Sequence, residues 1–165
     1  MKRADGYVYR SNDSLIFKTL SKGNIVLKSD TVTDGDDYAR YTFTDDLKPI
    51  NQWLVFGIYY ESYDYILVDK NNGKQTHLIG LPVISPDKKY IVAVNEDLEA
   101  QFTFNGIELS ESNGKTLKLI EKKEIADWAI REIKWLDDNT LLAHKIVIDK
   151  NHDTQESYIK LVIVK

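Results

Sequence analysis

Short β-branched or aromatic segments, separated by residues suited to tight turns, recur along the whole chain and restrict its fold more than any other feature. The predicted strands are 14–19, 24–28, 40–44, 53–60, 65–69, 90–95, 141–149 and 158–164. The turn signals between strands are Lys22-Gly23-Asn24, Asn71-Asn72-Gly73, Asn105-Gly106 and Asn113-Gly114, whose Gly and Asn residues tolerate positive φ. The pattern predicts an all-β fold of antiparallel hairpins, as a sandwich, a barrel or a propeller.

One segment, residues 121–133, is compatible with two structures. It begins with good helix formers, and Ile125, Trp128 and Ile133 fall at helical spacing. It is also compatible with a strand that contains a bulge. We therefore expect an all-β chain with at most one short helix, near 121–133.

A weak internal repeat links an apolar segment, an Asp-containing turn and a second apolar strand. The two clearer units run from Leu67 to Ala93, through Ser85-Pro86-Asp87, and from Leu109 to Ala143, through Leu136-Asp137-Asp138. A fainter unit has its turn at Thr44-Asp45-Asp46.

The Ser85-Pro86-Asp87 turn resembles the "S-P-D" blade turn of TolB-like and related periplasmic β-propellers. The resemblance covers roughly residues 40–145, although the turns at Thr44 and Leu136 lack the proline. It implies blades of antiparallel strands, with the turn joining the two inner strands and its Asp capping the loop. Since propeller blades take roughly 40–45 residues each and usually number 4–8, we expect a small or partial propeller-like assembly in a single domain, residues 1–165.

Composition excludes several classes of function. The 165 residues are 42% hydrophobic and 29% charged, a globular composition, with a formal net charge of −4. No run of Lys or Arg suggests a nucleic-acid partner, and no apolar stretch predicts membrane insertion. The chain has no Cys, and its first residues do not form an apolar signal segment. The compartment stays open; a periplasmic or extracellular location is slightly favoured if a signal peptide has been removed.

No catalytic or cofactor-binding residues are predicted. The three histidines are far apart in sequence: His144 lies in an apolar strand and is interpreted as structural, while His77 and His152 lie beside turns and are interpreted as solvated. There is no G-x-S-x-G motif, phosphate-binding loop or clustered zinc ligand set. Hydrolysis by paired carboxylates stays an alternative, because such pairs come from distant strands.

No metal site is predicted either, although Asp149-Lys150-Asn151-His152-Asp153 has the D-x-N-x-D spacing of a calcium loop. The following position is Thr154 rather than Gly, and Glu156 comes too early to be the closing ligand. We interpret the segment as a polar hairpin turn.

A concentration of aromatic residues gives the strongest indication of binding. Six of them lie between Trp53 and Tyr65, and acidic residues interrupt the last ones. Tyr rings suit protein interfaces or stacking on sugars, while core packing is the alternative. The predicted partner-binding residues are Tyr60, Glu61, Tyr63, Asp64, Tyr65, Asp36, Asp37 and Asp97, the last three as acidic residues that steer a basic partner.

The sequence therefore predicts a non-enzymatic protein that binds another protein through loops and exposed edges. Its size, its acidity and the lack of a recognisable catalytic site resemble the general character of bacterial immunity or inhibitor proteins. A carbohydrate- or peptide-binding module of an exported protein is the alternative. The oligomeric state is not predicted.

Overall fold

The computed structural model describes residues 6–33, 35–114 and 116–164, and over these residues the chain is all-β, as predicted. The strands are β1 (Val8–Ser11), β2 (Ser14–Lys18), β3 (Asn24–Lys28), β4 (Ala39–Leu47), β5 (Gln52–Tyr59), β6 (Tyr63–Asp69), β7 (Gln75–Leu78), β8 (Val83–Ile84), β9 (Tyr90–Asn95), β10 (Gly106–Ser112), β11 (Leu117–Glu124), β12 (Ala129–Trp135), β13 (Thr140–Ile148) and β14 (Thr154–Val162). Among the described residues no helix is long and apolar enough to cross a membrane.

The strands form four antiparallel sheets, and within each sheet sequential strands pair with one another. Sheet 1 has the order β1-β2-β3, sheet 2 β4-β5-β6-β7, sheet 3 β11-β10-β9-β8 and sheet 4 β12-β13-β14. This arrangement is compatible with propeller blades.

Contacts divide the chain into two compact units, Met1–Leu78 and Ile79–Lys165. The first unit carries sheets 1 and 2, and the second carries sheets 3 and 4. That residues 1–165 form a single domain stays a prediction, which the division into two contact units does not test.

The core of the first unit is built from apolar residues at alternating positions along the strands of sheets 1 and 2. Phe17 of β2 packs against Trp53 of β5 with ring centroids 5.5 Å apart. The buried cluster consists of Val8, Leu15, Phe17, Leu27, Phe43, Trp53, Val55, Ile66 and Val68. Full burial of one such side chain is worth about 1.5–3 kcal/mol, so this cluster stabilises the unit that carries most of the predicted site.

Sheets 3 and 4 share the core of the second unit, which contains Val92, Ile125, Ile130, Ile133, Leu141 and Ala143. Trp135 packs at its edge, where its indole stacks on Tyr90 at 6.4 Å and its Nε1–H donates to the carbonyl of Val83 at 3.0 Å. This hydrogen bond satisfies the polar atom of an otherwise apolar ring.

Two of the repeated turns have the predicted structure. The turn at Ser85-Pro86-Asp87 joins β8 and β9, and Asp87 Oδ1 accepts hydrogen bonds from the Lys89 N–H at 3.0 Å and the Ser85 hydroxyl at 2.7 Å. Between β12 and β13, Asp137 Oδ1 accepts from the N–H groups of Asn139 and Thr140, both at 2.8 Å. These bonds hold the pKa of both carboxyls below the ordinary value. A capping role is predicted for Asp87 and for either Asp137 or Asp138, and it is confirmed for Asp87 and Asp137.

The third repeated turn, at Thr44-Asp45-Asp46, was wrongly placed. These residues belong to β4, which continues to Leu47 through a register irregularity between Phe43 and Asp45. Asp46 forms an ion pair with Lys70, which stabilises its acidic side chain within the strand. The chain reverses later, in a 3₁₀ turn at Lys48–Ile50, where Pro49 suits the first turn and Asn51 adopts a φ of 55°.

The alternative of a short helix near 121–133 was also wrong. Strand β11 ends at Glu124 and β12 begins at Ala129, with a register irregularity between Ile130 and Glu132. The Asn105 side-chain amide donates to the carbonyls of Ile125 and Trp128, at 2.5 and 3.0 Å, and so fixes the turn between the strands. Of the apolar residues at helical spacing, Ile125 is buried from the turn and Ile133 from the bulged strand, while Trp128 is half-buried. Tertiary burial overrides helix propensity here.

Candidate functional site

The strand register brings two of the predicted binding segments together at one end of sheet 2. Ala39, the first residue of β4, pairs with Tyr59, and Ile58 pairs with Tyr63. The loop that carries Asp36 and Asp37 therefore enters the sheet beside the turn that connects β5 to β6. We call this region the aromatic end, defined by Asp36, Asp37, Phe56, Tyr60, Glu61, Tyr63 and Tyr65.

The tyrosines of the aromatic end are only partly covered. Tyr60 in the turn is 56% exposed and Tyr63 is 41% exposed, whereas Tyr65 is half-buried. Phe56 lies 5.8 Å from the Tyr63 ring and 5.0 Å from the Tyr65 ring, measured between centroids. Strand pairing and ring contacts thus hold Tyr63 and Tyr65 in place on one face of the sheet, and part of their surface stays open to solvent.

The acidic residues of the aromatic end are exposed as well. Asp36, Asp37 and Glu61 all have exposed side chains. Exposed carboxylates beside aromatic rings can steer a basic partner during diffusional encounter, while the rings supply contact area.

Asp64 points to the opposite face of the sheet, because side chains alternate along a strand. Its Oδ1 accepts a hydrogen bond from the Tyr59 hydroxyl at 3.0 Å, and its Oδ2 is hydrogen-bonded to Nδ1 of His77. Burial raises the pKa of Tyr59, and the negative charge of Asp64 raises it further, so the phenol stays a donor. We call Tyr59, Asp64 and His77 the Asp64 cluster.

Gly57 provides the space for this cluster. A Cβ atom at position 57 would lie 2.6 Å from Asp64 Oδ1 and 2.8 Å from the Tyr59 hydroxyl oxygen. A side chain at position 57 would therefore push the Asp64 carboxylate or the Tyr59 hydroxyl out of place, and the glycine lets the two groups stay hydrogen-bonded.

Sequence reasoning missed the Asp64 cluster, since it interpreted His77 as a merely solvated side chain. The imidazole of His77 is exposed, but it is hydrogen-bonded to Asp64 of the neighbouring strand. Ile66 pairs with His77, and this register places β7 beside the start of β6. No local motif signals this contact, which depends on the register of two strands.

Asp97, predicted as a steering charge, lies in the second unit and is bonded within its own loop. One carboxylate oxygen accepts from the Gln101 N–H at 2.9 Å, and the other accepts from both the N–H and the hydroxyl of Thr103, at 2.6 and 2.8 Å. Burial alone would raise the pKa of Asp97, but these hydrogen bonds outweigh it and lower the pKa. Replacing Asp97 would change the loop as well as the charge, so Asp36 and Asp37 are the cleaner positions for testing electrostatic steering.

His144 belongs to a network of ionic side chains on sheet 4. Its ring stacks on Tyr158 at 4.8 Å and its Nε2 lies 3.0 Å from Glu156 Oε2. Arg131 donates to the other oxygen of Glu156 at 2.8 Å and to both oxygens of Glu96, and these bonds raise the pKa of its guanidinium. The network joins β12 and β14 across β13.

The calcium-like segment forms a hydrogen-bonded hairpin turn. Asp149 Oδ1 accepts from the N–H groups of Asn151 and Asp153, at 2.8 and 3.0 Å. This is a local cap of the kind Asp makes in polar turns. In residues 6–33, 35–114 and 116–164, no three His, Asp or Glu side chains are grouped so that they could hold a metal ion.

Compared with models of protein families, with curated proteins and with solved structures, the chain gives no significant match.

Proposed function

We propose that this chain is a non-catalytic protein that binds another protein through the aromatic end of sheet 2. The observation that carries the proposal is the partial exposure of Tyr60 and Tyr63 at the β5–β6 turn. Exposed Asp36 and Asp37 lie in the loop that enters the same end of sheet 2, where Ala39 pairs with Tyr59. Rings held by a rigid sheet lose little conformational entropy on binding, which is why tyrosines dominate many interface hot spots.

The proposed partner has a basic contact surface. The exposed carboxylates at the aromatic end are not neutralised by an ion pair among the described residues, and the formal net charge of the chain is −4. A small acidic protein that covers a basic site on its partner would act as an inhibitor, in the manner of bacterial immunity proteins.

The scaffold we propose is propeller-like. Its support is the order of the strands, four meandering sheets of three or four strands, together with Asp-capped turns between the first two strands of sheets 3 and 4. Such scaffolds present loops at the ends of their blades, and the aromatic end lies at one end of sheet 2.

Site-specific photo-crosslinking in the native cell tests the proposal. A benzophenone amino acid at position 60 should yield one dominant adduct, and its protein component can be identified by mass spectrometry. The matched control carries the same group at position 7, where Tyr7 is 49% exposed in the same unit but outside the aromatic end.

Adducts from position 60 that are absent from position 7 support the proposal. Identical adducts from both positions, or none from position 60, contradict it. If position 60 instead captures glycans or short peptides, the ligand-binding alternative replaces it.

A further inference from the structure

The outer edge of β14 carries a row of backbone groups without strand partners in the described part of the chain. The Ile163 N–H donates to Asn139, and the Asp153 carbonyl accepts from the Asp149 N–H. Odd-numbered residues of this strand therefore point their N–H and C=O groups toward β13, and even-numbered residues point theirs outward. The outward set, all of it exposed, is Thr154, Glu156, Tyr158, Lys160 and Val162.

Edge strands that must not pair usually carry protection, and β11 shows it within the same unit. It contains Lys118, Lys122 and Lys123, and its register against β10 is irregular beside Ser110. Lysines and bulges of this kind discourage pairing with another chain.

Strand β14 has fewer lysines than β11 and no bulge. It pairs with β13 over nine consecutive residues without irregularity and carries a single lysine, Lys160. Tyr158 is 68% exposed and Val162 is 63% exposed. A long, regular, partly apolar edge is a template for a further strand.

The sequence of β14 is complementary to itself when reversed. In an antiparallel pair of two β14 strands centred on Tyr158, Glu156 of one copy faces Lys160 of the other, twice, and Thr154 faces Val162. In this register, each residue whose N–H and C=O groups point away from β13 faces a residue of the same kind in the second copy. All of these backbone groups can therefore hydrogen-bond between the two strands. A shift of two residues either way would place Glu156 opposite Tyr158 or Val162 and shorten the overlap.

We propose that β14 is a homodimerisation edge, at which a second copy of this chain pairs antiparallel with Tyr158 at the two-fold axis. The dimer joins two copies of sheet 4 into one continuous six-stranded sheet. Opposite charges across a strand pair favour this register, and like charges directly opposite disfavour it. The proposal is independent of the aromatic end, which lies in the other unit.

Cysteine crosslinking tests the register, because the chain contains no Cys of its own. In the proposed dimer the two Tyr158→Cys residues face each other as a hydrogen-bonded pair with Cα atoms about 5.5 Å apart, within the range of a disulfide. The control is Thr154→Cys on the same edge, whose two copies would be separated by about 27 Å, eight residues at about 3.4 Å each. Mild oxidation should convert Tyr158→Cys to a disulfide dimer much faster than Thr154→Cys. Equal rates, or no dimer from Tyr158→Cys, would overturn the proposal.

A second measurement leaves the Tyr158 ring in place. Sedimentation velocity up to about 200 µM should show a monomer–dimer equilibrium for the unchanged chain. Lys160→Glu puts like charges opposite each other and should weaken dimerisation roughly tenfold or more. Lys150→Glu, an equal change of charge in the preceding turn, should leave it within about twofold. A monomer at every concentration, or equal effects of the two variants, would refute the homodimer.

Discussion

Replacing Gly57 by alanine tests whether close packing at position 57 holds the Asp64 cluster together. The new methyl group would lie 2.6 Å from Asp64 Oδ1 and 2.8 Å from the Tyr59 hydroxyl, and contacts below 3.0 Å force a displacement. Both atoms are ends of side chains that can move, so the main cost is the hydrogen bond that the displacement breaks. Loss of a hydrogen bond from Tyr59 to a charged carboxylate costs about 1.5–3 kcal/mol.

One term opposes this cost, since alanine in a strand is favoured over glycine by about 0.5–1 kcal/mol. The free energy of unfolding should therefore fall by about 1–2 kcal/mol. Urea denaturation followed by tryptophan fluorescence measures this change, because Trp53 lies in the core of the same unit. A change smaller than about 0.5 kcal/mol, the scale of an ordinary surface substitution, would refute the packing argument.

A double-mutant cycle separates the two contributions. Tyr59→Phe removes the hydroxyl that the new methyl group would contact, so Gly57→Ala should cost at least about 1 kcal/mol less in the Tyr59→Phe background. Additive effects would mean that the hydroxyl and the methyl group do not compete for space.

Three further predictions concern the carboxylates. Asp87→Ala should lower the melting temperature at neutral pH. Because the pKa of Asp87 is lowered in the folded state, the stability that its carboxylate contributes is present above the unfolded pKa. The difference in melting temperature should therefore vanish as the pH falls through the folded pKa. Burial raises the pKa of Glu108, whose Oε1 accepts from the Ile79 N–H at 3.0 Å, so the folded state binds its proton more tightly than the unfolded state. Glu108→Gln should therefore be more stable than the unchanged chain at neutral pH, and the difference should close as the pH falls through the folded pKa; a gap that widens in acid would contradict this. Dialysis against EDTA should leave the melting temperature unchanged, since Asp149 already caps its own turn, and a drop reversed by calcium would contradict that role.

Local sequence signals predicted much of the fold. Residues 24–28 and 90–95 are strands with the predicted bounds, because alternating or continuous apolar residues there end at turn residues. The turn at Ser85-Pro86-Asp87 was predictable for the same reason, since the capping side chain lies within two residues of the N–H group it binds.

Features that depend on strand register were not predictable in this way. The Thr44-Asp45-Asp46 segment has the composition of a turn, but Asp46 remains in β4 and pairs with Lys70, which lies far along the chain. His77 contacts Asp64 only because β6 and β7 pair as they do. The exposed position of Tyr63 likewise depends on the face it occupies beside Phe56.

The affinity of Tyr63→Ala for the protein captured at position 60, measured beside its stability, tests the central claim most directly. Loss of the ring contact with Phe56 should lower the free energy of unfolding by about 0.5–1.5 kcal/mol beyond the lost burial. Loss of a hot spot should weaken binding by about 2 kcal/mol or more, roughly 30-fold. Tyr7→Ala, as the control, should bind within about twofold of the unchanged chain. The account predicts a fully folded Tyr63→Ala variant with at least this loss of affinity. Unchanged affinity, or a loss that merely follows the unfolded fraction, would contradict it.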